Sequence, residues 1–185
     1  MGVDKATLKV GDSMLIEFPL NILTGLFEKV MIVTNQDLID DLKSSLASRN
    51  ACLEIVKDIY PGHGALGGIY TALYYSKTPF IFVTACDMPF ILRSFIQYMV
   101  ESLPYSCDVL IPESSGGLET LHAIYKKNLA GIIRNNILNN HNKIKDFFHL
   151  SNVCYLKNED VLRFDKEERM FQNINTPLDL EESRL

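Results

Sequence analysis

No run of 18 or more apolar residues occurs in the chain, so a membrane-spanning helix is not expected and no membrane partner is indicated. Nor does it open on a basic segment followed by an apolar one, and the expected location is the cytoplasm. Positive charge is in short supply: 18 Lys and Arg face 23 Asp and Glu, a net charge of -5. With no basic stripe to offset phosphate repulsion, nucleic acid is excluded as a partner. A small anionic substrate stays admissible, because local donors and a metal outweigh net charge. Cysteine is sparse and scattered at Cys52, Cys86, Cys107 and Cys154, without a Cys-x-x-Cys pair. The expectation is four small hydrophobes in a reducing compartment, not disulfides or zinc ligands. His63, His141 and His149 have no metal-ligand spacing, and no nucleophile–histidine pair can be assembled. Neither the P-loop nor the dinucleotide fingerprint occurs, which removes the ATPase and dehydrogenase readings.

What remains is an alternation of helical and strand patterns over 185 residues, without repeats, enough for one domain spanning 1–185. Helical spacing runs from Ser13 to Leu26, where Pro19 delays or kinks the helix. Lys29–Asn35 and Leu53–Lys57 are β-rich, with an amphipathic stretch between them from Gln36 to Arg49. A Gly-rich loop, Asp58 to Gly68, leads into a helix over Ile69–Ser76. Phe80–Asp87 is a continuous apolar run that Pro89 must end, which predicts a central strand covered on both faces. Arg93–Leu103 and Asn128–Asn139 look helical; Asp108–Pro112, Thr120–Tyr125 and Val153–Leu156 look like strands. Pro177 suits the start of a last helix. The alternation predicts an α/β fold with a mostly parallel mixed sheet.

Three strands end in Asn35, Asp58 and Asp87, and right-handed crossovers should bring these ends to one sheet edge. Open α/β sheets keep their ligands there. Each residue could equally be a turn former or helix cap. A carboxylate such as Asp87 can hold Mg²⁺ against a triphosphate, and an asparagine or aspartate can meet a nucleoside's polar groups. The loop glycines, Gly64 and Gly67 among them, leave N–H groups at a helix N-terminus, suited to phosphate or to a plain turn. Asn173 and Asn175 precede Thr176-Pro177, where they face the pocket or merely lead into a capped helix. His122 lies within an apolar strand and is expected to be a core histidine with satisfied nitrogens.

The motifs together resemble the molybdenum cofactor guanylyltransferase family, which has a three-layer Rossmann-like nucleotidyltransferase fold. The resemblance is carried by Met1-Gly2-Val3-Asp4-Lys5-Ala6, by Asp58 with Gly62-His63-Gly64-Ala65-Leu66-Gly67-Gly68-Ile69, by Cys86-Asp87-Met88-Pro89, and by Asn173-Ile174-Asn175-Thr176-Pro177. It implies GMP transfer from GTP to molybdenum-molybdopterin with Mg²⁺, releasing pyrophosphate. Molybdoenzymes or cofactor-insertion proteins are implied as further partners. By motif position Lys5 would contact the phosphates, Asn35 and Asp58 the guanosine, and Asp87 the metal. Family members have proline where this chain has Ala65. They also open with a strand and Leu-Ala-Gly-Gly-x-Ser-x-Arg ahead of the Met-Gly at which this sequence begins. On that difference the expectation is weaker GTP binding, with an inactive nucleotide- or cofactor-binding adaptor of the same fold as the alternative.

Overall fold

A computed structural model describes residues 8–10, 13–46, 52–174 and 179. It opens with a short antiparallel pair, β1 (Lys9–Val10) and β2 (Ser13–Met14). Helix α1 (Glu17–Leu23) follows, with Pro19 in its first turn, where backbone N–H groups have no intrahelical acceptor to lose. Strand β3 (Val30–Thr34), helix α2 (Gln36–Ser45) and strand β4 (Leu53–Lys57) make a parallel βαβ unit, in register from Val30↔Leu53 to Thr34↔Lys57. Leu42 and Leu46 of this unit bury against Val30, Ile32 and Leu20.

Helix α3 (Gly64–Tyr75) begins at Gly64, not at Ile69 as the glycine content suggested. Gly62 and Gly64, at φ of 86° and 60°, make the turn into it; Gly67 and Gly68 lie inside the helix. There follow β5 (Phe80–Thr84), α4 (Arg93–Glu101), β6 (Val109–Ser114), β7 (Gly117–Leu118), β8 (His122–Lys126), α5 (Ala130–Leu138), β9 (Val153–Leu156) and α6 (Asn158–Leu162). The largest sheet among the described residues has five strands, in the order β5-β8-β6-β7, with β9 beside β6.

The two faces of this sheet separate by period-two alternation. Val109, Ile111, Ala123 and Tyr125 pack with Leu66, Leu73, Ile133 and Ile137 of α3 and α5. Leu110 and Ile124 turn the other way, onto Phe95, Ile96 and Met99 of α4 and Val161 of α6. The layering is helix, sheet, helix.

Three expectations are corrected. Strand direction is the first: β3–β4 and β6–β9 are parallel, but β5–β8, β6–β8 and β6–β7 are antiparallel. The described pairings are mixed, and antiparallel ones outnumber parallel ones among them. The segment joining β6 to β8 is too short for a crossover helix, so the chain must return antiparallel. Secondly, β5 is not central among the described strands. It stands at the end of its sheet among the described residues, and each of its residues is only half-buried. Thirdly, Cys107 and Cys154 form a disulfide, β6 and β9 lying side by side, whereas Cys52 and Cys86 are not disulfide-bonded and are half-buried. No described helix is long and apolar enough to cross a membrane.

Candidate functional site

The parallel pairing of β3 and β4 brings two of the expected residues together. The Asp58 N–H donates to the Thr34 carbonyl at 2.8 Å, so Asn35 and Asp58 leave the carboxyl ends of adjacent strands side by side. Asn35 occupies the N-cap of α2, yet its side chain makes no capping hydrogen bond and is exposed. A purely capping role is therefore not what this asparagine performs.

Asp58 is more constrained. Its Oδ1 accepts from the Tyr60 N–H at 3.0 Å and from the Thr71 hydroxyl at 2.7 Å. The turn it begins lies directly against α3 at Gly67, where an added Cβ would stand 2.6 Å from the Tyr60 carbonyl. Gly67 thus serves close approach of backbone to helix, while Gly64 serves the positive φ of the turn. Two side-chain bonds tie the same loop to the far side: Arg134 Nε donates to Tyr60 Oη at 3.2 Å, and His63 Nδ1 pairs with Asn142 Oδ1 at 2.7 Å. Behind the loop Tyr60 meets Tyr70 edge-on at 5.1 Å, and burial, then the Tyr60 phenol, push the Tyr70 pKa up.

Asp87 follows β5 by a short turn and is 7% exposed, more enclosed than a rim carboxylate was expected to be. Cys86 beside it packs on the cluster of Val30, Ile32 and Leu42, which draws this turn towards the β3–β4 unit. The Asp87 carbonyl accepts from the Ile174 N–H at 2.8 Å. That bond sets exposed Asn173 next to the Asp87 turn, although the two residues are far apart along the chain. Lys5, Asn175, the Met1–Ala6 motif and Pro177 lie outside the described residues.

His122 departs from expectation. It is wholly buried, as foreseen, but neither ring nitrogen has a hydrogen-bond partner among the described residues. Phe82, Phe95 and Phe171 surround it at 5.0, 5.8 and 5.2 Å between ring centres. Desolvation lowers its pKa to about 3, which keeps the ring neutral. Sequence reasoning missed Thr71 altogether. Its only signal was a threonine four residues after Gly67, on the same helix face.

Comparison with known proteins fits this geometry. The MobA-like NTP transferase domain matches residues 1–153. A relative from Clostridium perfringens, described as a probable molybdenum cofactor guanylyltransferase, is 34% identical over 94% of this chain and 84% of its own. One of the same description from Natranaerobius thermophilus is 32% identical over 100% of this chain and 88% of its own. The crystal structure of molybdopterin-guanine dinucleotide biosynthesis protein A from Archaeoglobus fulgidus superposes with a TM-score of 0.80 and 31% identity, covering 98% of this chain and 89% of that one. A 4-diphosphocytidyl-2C-methyl-D-erythritol synthase from Anaerococcus prevotii has a TM-score of 0.70 at 12% identity, over 95% and 86% of the two chains, and so shares the fold. With a family match over most of its length and relatives above 30% identity along nearly all of it, this chain belongs to the MobA-like NTP transferase family.

Proposed function

We propose that the chain is a cytoplasmic molybdenum cofactor guanylyltransferase, transferring GMP from GTP to molybdenum-molybdopterin and releasing pyrophosphate. The observation that carries the reading is the shared exit of Asn35 and Asp58 from the parallel β3–β4 pair, with the Asp87 turn packed towards the same unit. The descriptions of the relatives support the choice of nucleotide and acceptor.

In this reading Asn35 and Asp58 meet the guanosine. The exposed Asn35 amide can both donate and accept, and Asp58 accepts. Lys5 supplies a point charge to the phosphates. The N–H groups that open α3 at Gly64 add donors at the positive end of a helix dipole. Asp87 holds the metal, with Asn173 at the neighbouring turn.

The donor set suits magnesium. No group of three His, Cys, Asp or Glu side chains among the described residues forms a metal cage. Asp87 would be a protein carboxylate on the metal, and Mg²⁺ commonly takes one or two carboxylates with phosphate oxygens and water. When bound it supplies neutralisation of phosphate charge. The protein's remaining work is to orient the acceptor oxygen in line with the α-phosphorus and to keep the nucleotide fixed. No covalent intermediate on the protein is required.

Pyrophosphate release from GTP, with Mg²⁺ and molybdenum-molybdopterin present, tests the reading. Asp87→Ala should lower the rate by about 10³-fold or more, with folding intact, and GTP should outcompete CTP and UTP. Undiminished turnover in the variant would remove Asp87 from the site. Binding of GTP without any turnover by the unaltered chain would favour the adaptor reading.

A further inference from the structure

Thr71 is a buried polar side chain for which the site above has no use. It lies on α3 one turn beyond Gly67, fully enclosed. The Ile59 N–H donates to its Oγ1 at 3.0 Å, and Oγ1 donates to Asp58 Oδ1 at 2.7 Å. The direction of this chain of bonds is forced. A backbone N–H can only donate, so the hydroxyl accepts there and must send its own hydrogen to the carboxylate. The Tyr60 N–H delivers a second bond to the same oxygen at 3.0 Å. Oδ1 is thereby occupied by two fixed donors, while Oδ2 accepts no hydrogen bond from any described residue. Gly67 leaves room for this arrangement, since an added Cβ would lie 3.1 Å from Oδ2.

We infer that Thr71 is the positioning residue for Asp58: with Tyr60 N it holds Oδ1, so that Oδ2 is the oxygen offered to the N–H or O–H donors of the nucleoside. The inference rests on the guanylyltransferase reading, in which Asp58 meets the nucleoside. A carboxylate pinned at one oxygen cannot rotate away when the ligand arrives, so less ordering cost falls on binding. Thr71 itself touches no ligand.

Calorimetric titration of the full chain with GTP and Mg²⁺ tests this, with a thermal melt of every variant alongside. Thr71→Val keeps the shape, removes the hydroxyl and with it both of its hydrogen bonds. It should weaken GTP binding roughly tenfold, the order of one hydrogen bond between Asp58 Oδ2 and the nucleoside no longer held in place. Thr71→Ser restores the hydroxyl and should return affinity to near the parent value. Asp58→Asn keeps an acceptor for the clamp but replaces the free oxygen; on that background Thr71→Val should add no further loss. Equal losses from Thr71→Val with or without Asp58→Asn would overturn the positioning role and leave the site reading standing. So would a serine variant as weak as the valine one. Undiminished binding by Asp58→Asn, or no binding by the parent chain, would overturn both. If the valine variant fails to fold, Thr71→Ala, which also lacks the hydroxyl, takes its place with and without Asp58→Asn, and the same outcomes decide.

Discussion

A methyl group at Gly67 would collide with the chain, since a Cβ there stands 2.6 Å from the Tyr60 carbonyl and 3.1 Å from Asp58 Oδ2. Backbone cannot swing aside as a long side chain can. Gly67→Ala must therefore lift the 58–60 turn from α3 or strain the helix, at about 1–3 kcal/mol. Urea denaturation reads that loss, and calorimetry should register weaker GTP binding beside it; a variant as stable as the parent would mean that the turn yields freely. The glycine was legible as part of a loop, but its task was not. Nothing in Gly67-Gly68 says that these residues sit inside a helix against a carbonyl. The places of Asn35 and Asp58 directly after β3 and β4 were legible because each is a polar residue closing an apolar run, whereas Asp87 lies three residues past the end of β5. Asp58's clamp was not, because Thr71 reaches it only once α3 has packed on the β4 turn. Nor could sequence tell that Asn35 leaves its side chain out of helix capping.

Single elements divide in the same way between local and non-local information. Leu53–Lys57 and Val153–Leu156 are strands at the residues expected, since short β-branched or aromatic runs bounded by turn formers carry their own limits. Direction is another matter. An apolar run such as Phe80–Thr84 reads alike as a parallel or an antiparallel strand, and only its partner β8 decides the direction. Partnering also decides the cysteines. The parallel pairing of β6 and β9 makes neighbours of segments far apart along the chain, and Cys107, just before β6, meets Cys154 of β9 across a separation of 47 residues. Scattered spacing concealed that neighbourhood. Titration of the unreduced protein in guanidinium should therefore find two reactive thiols, Cys52 and Cys86, and four after reduction. Four before reduction would establish that β6 and β9 are held by their ladder alone.

At the scale of the molecule, two helical layers close on the five-stranded sheet, and the face beneath α4 encloses a histidine whose nitrogens, among the described residues, meet only rings. Pattern reasoning placed His122 in the core because its neighbours in β8 are apolar, but it could not count hydrogen bonds. Those depend on Phe95 from α4 and Phe171 from beyond α6. The consequence belongs to global stability. In the unfolded chain His122 titrates near 6.5, and burial lowers the folded value to about 3. Between these pH values the unfolded state holds the extra proton, so stability is full above the upper value and declines as pH falls. The slope for one such group is about 1.4 kcal/mol per pH unit. Glu119 works in the opposite sense. Burial raises its pKa despite the bond from Ser114, so the folded state gains a proton there as pH falls through the carboxylate range. The comparison is therefore made in the upper half of the histidine window. His122→Leu fills the aromatic box without polar atoms, and removing unpartnered buried groups is neutral or stabilising. Guanidinium denaturation at stepped pH should give a steep fall for the parent below pH 6.5 and a flatter line for the variant, with the two diverging as acid is added. Parallel profiles would show that the imidazole finds a partner, or water, in the folded protein.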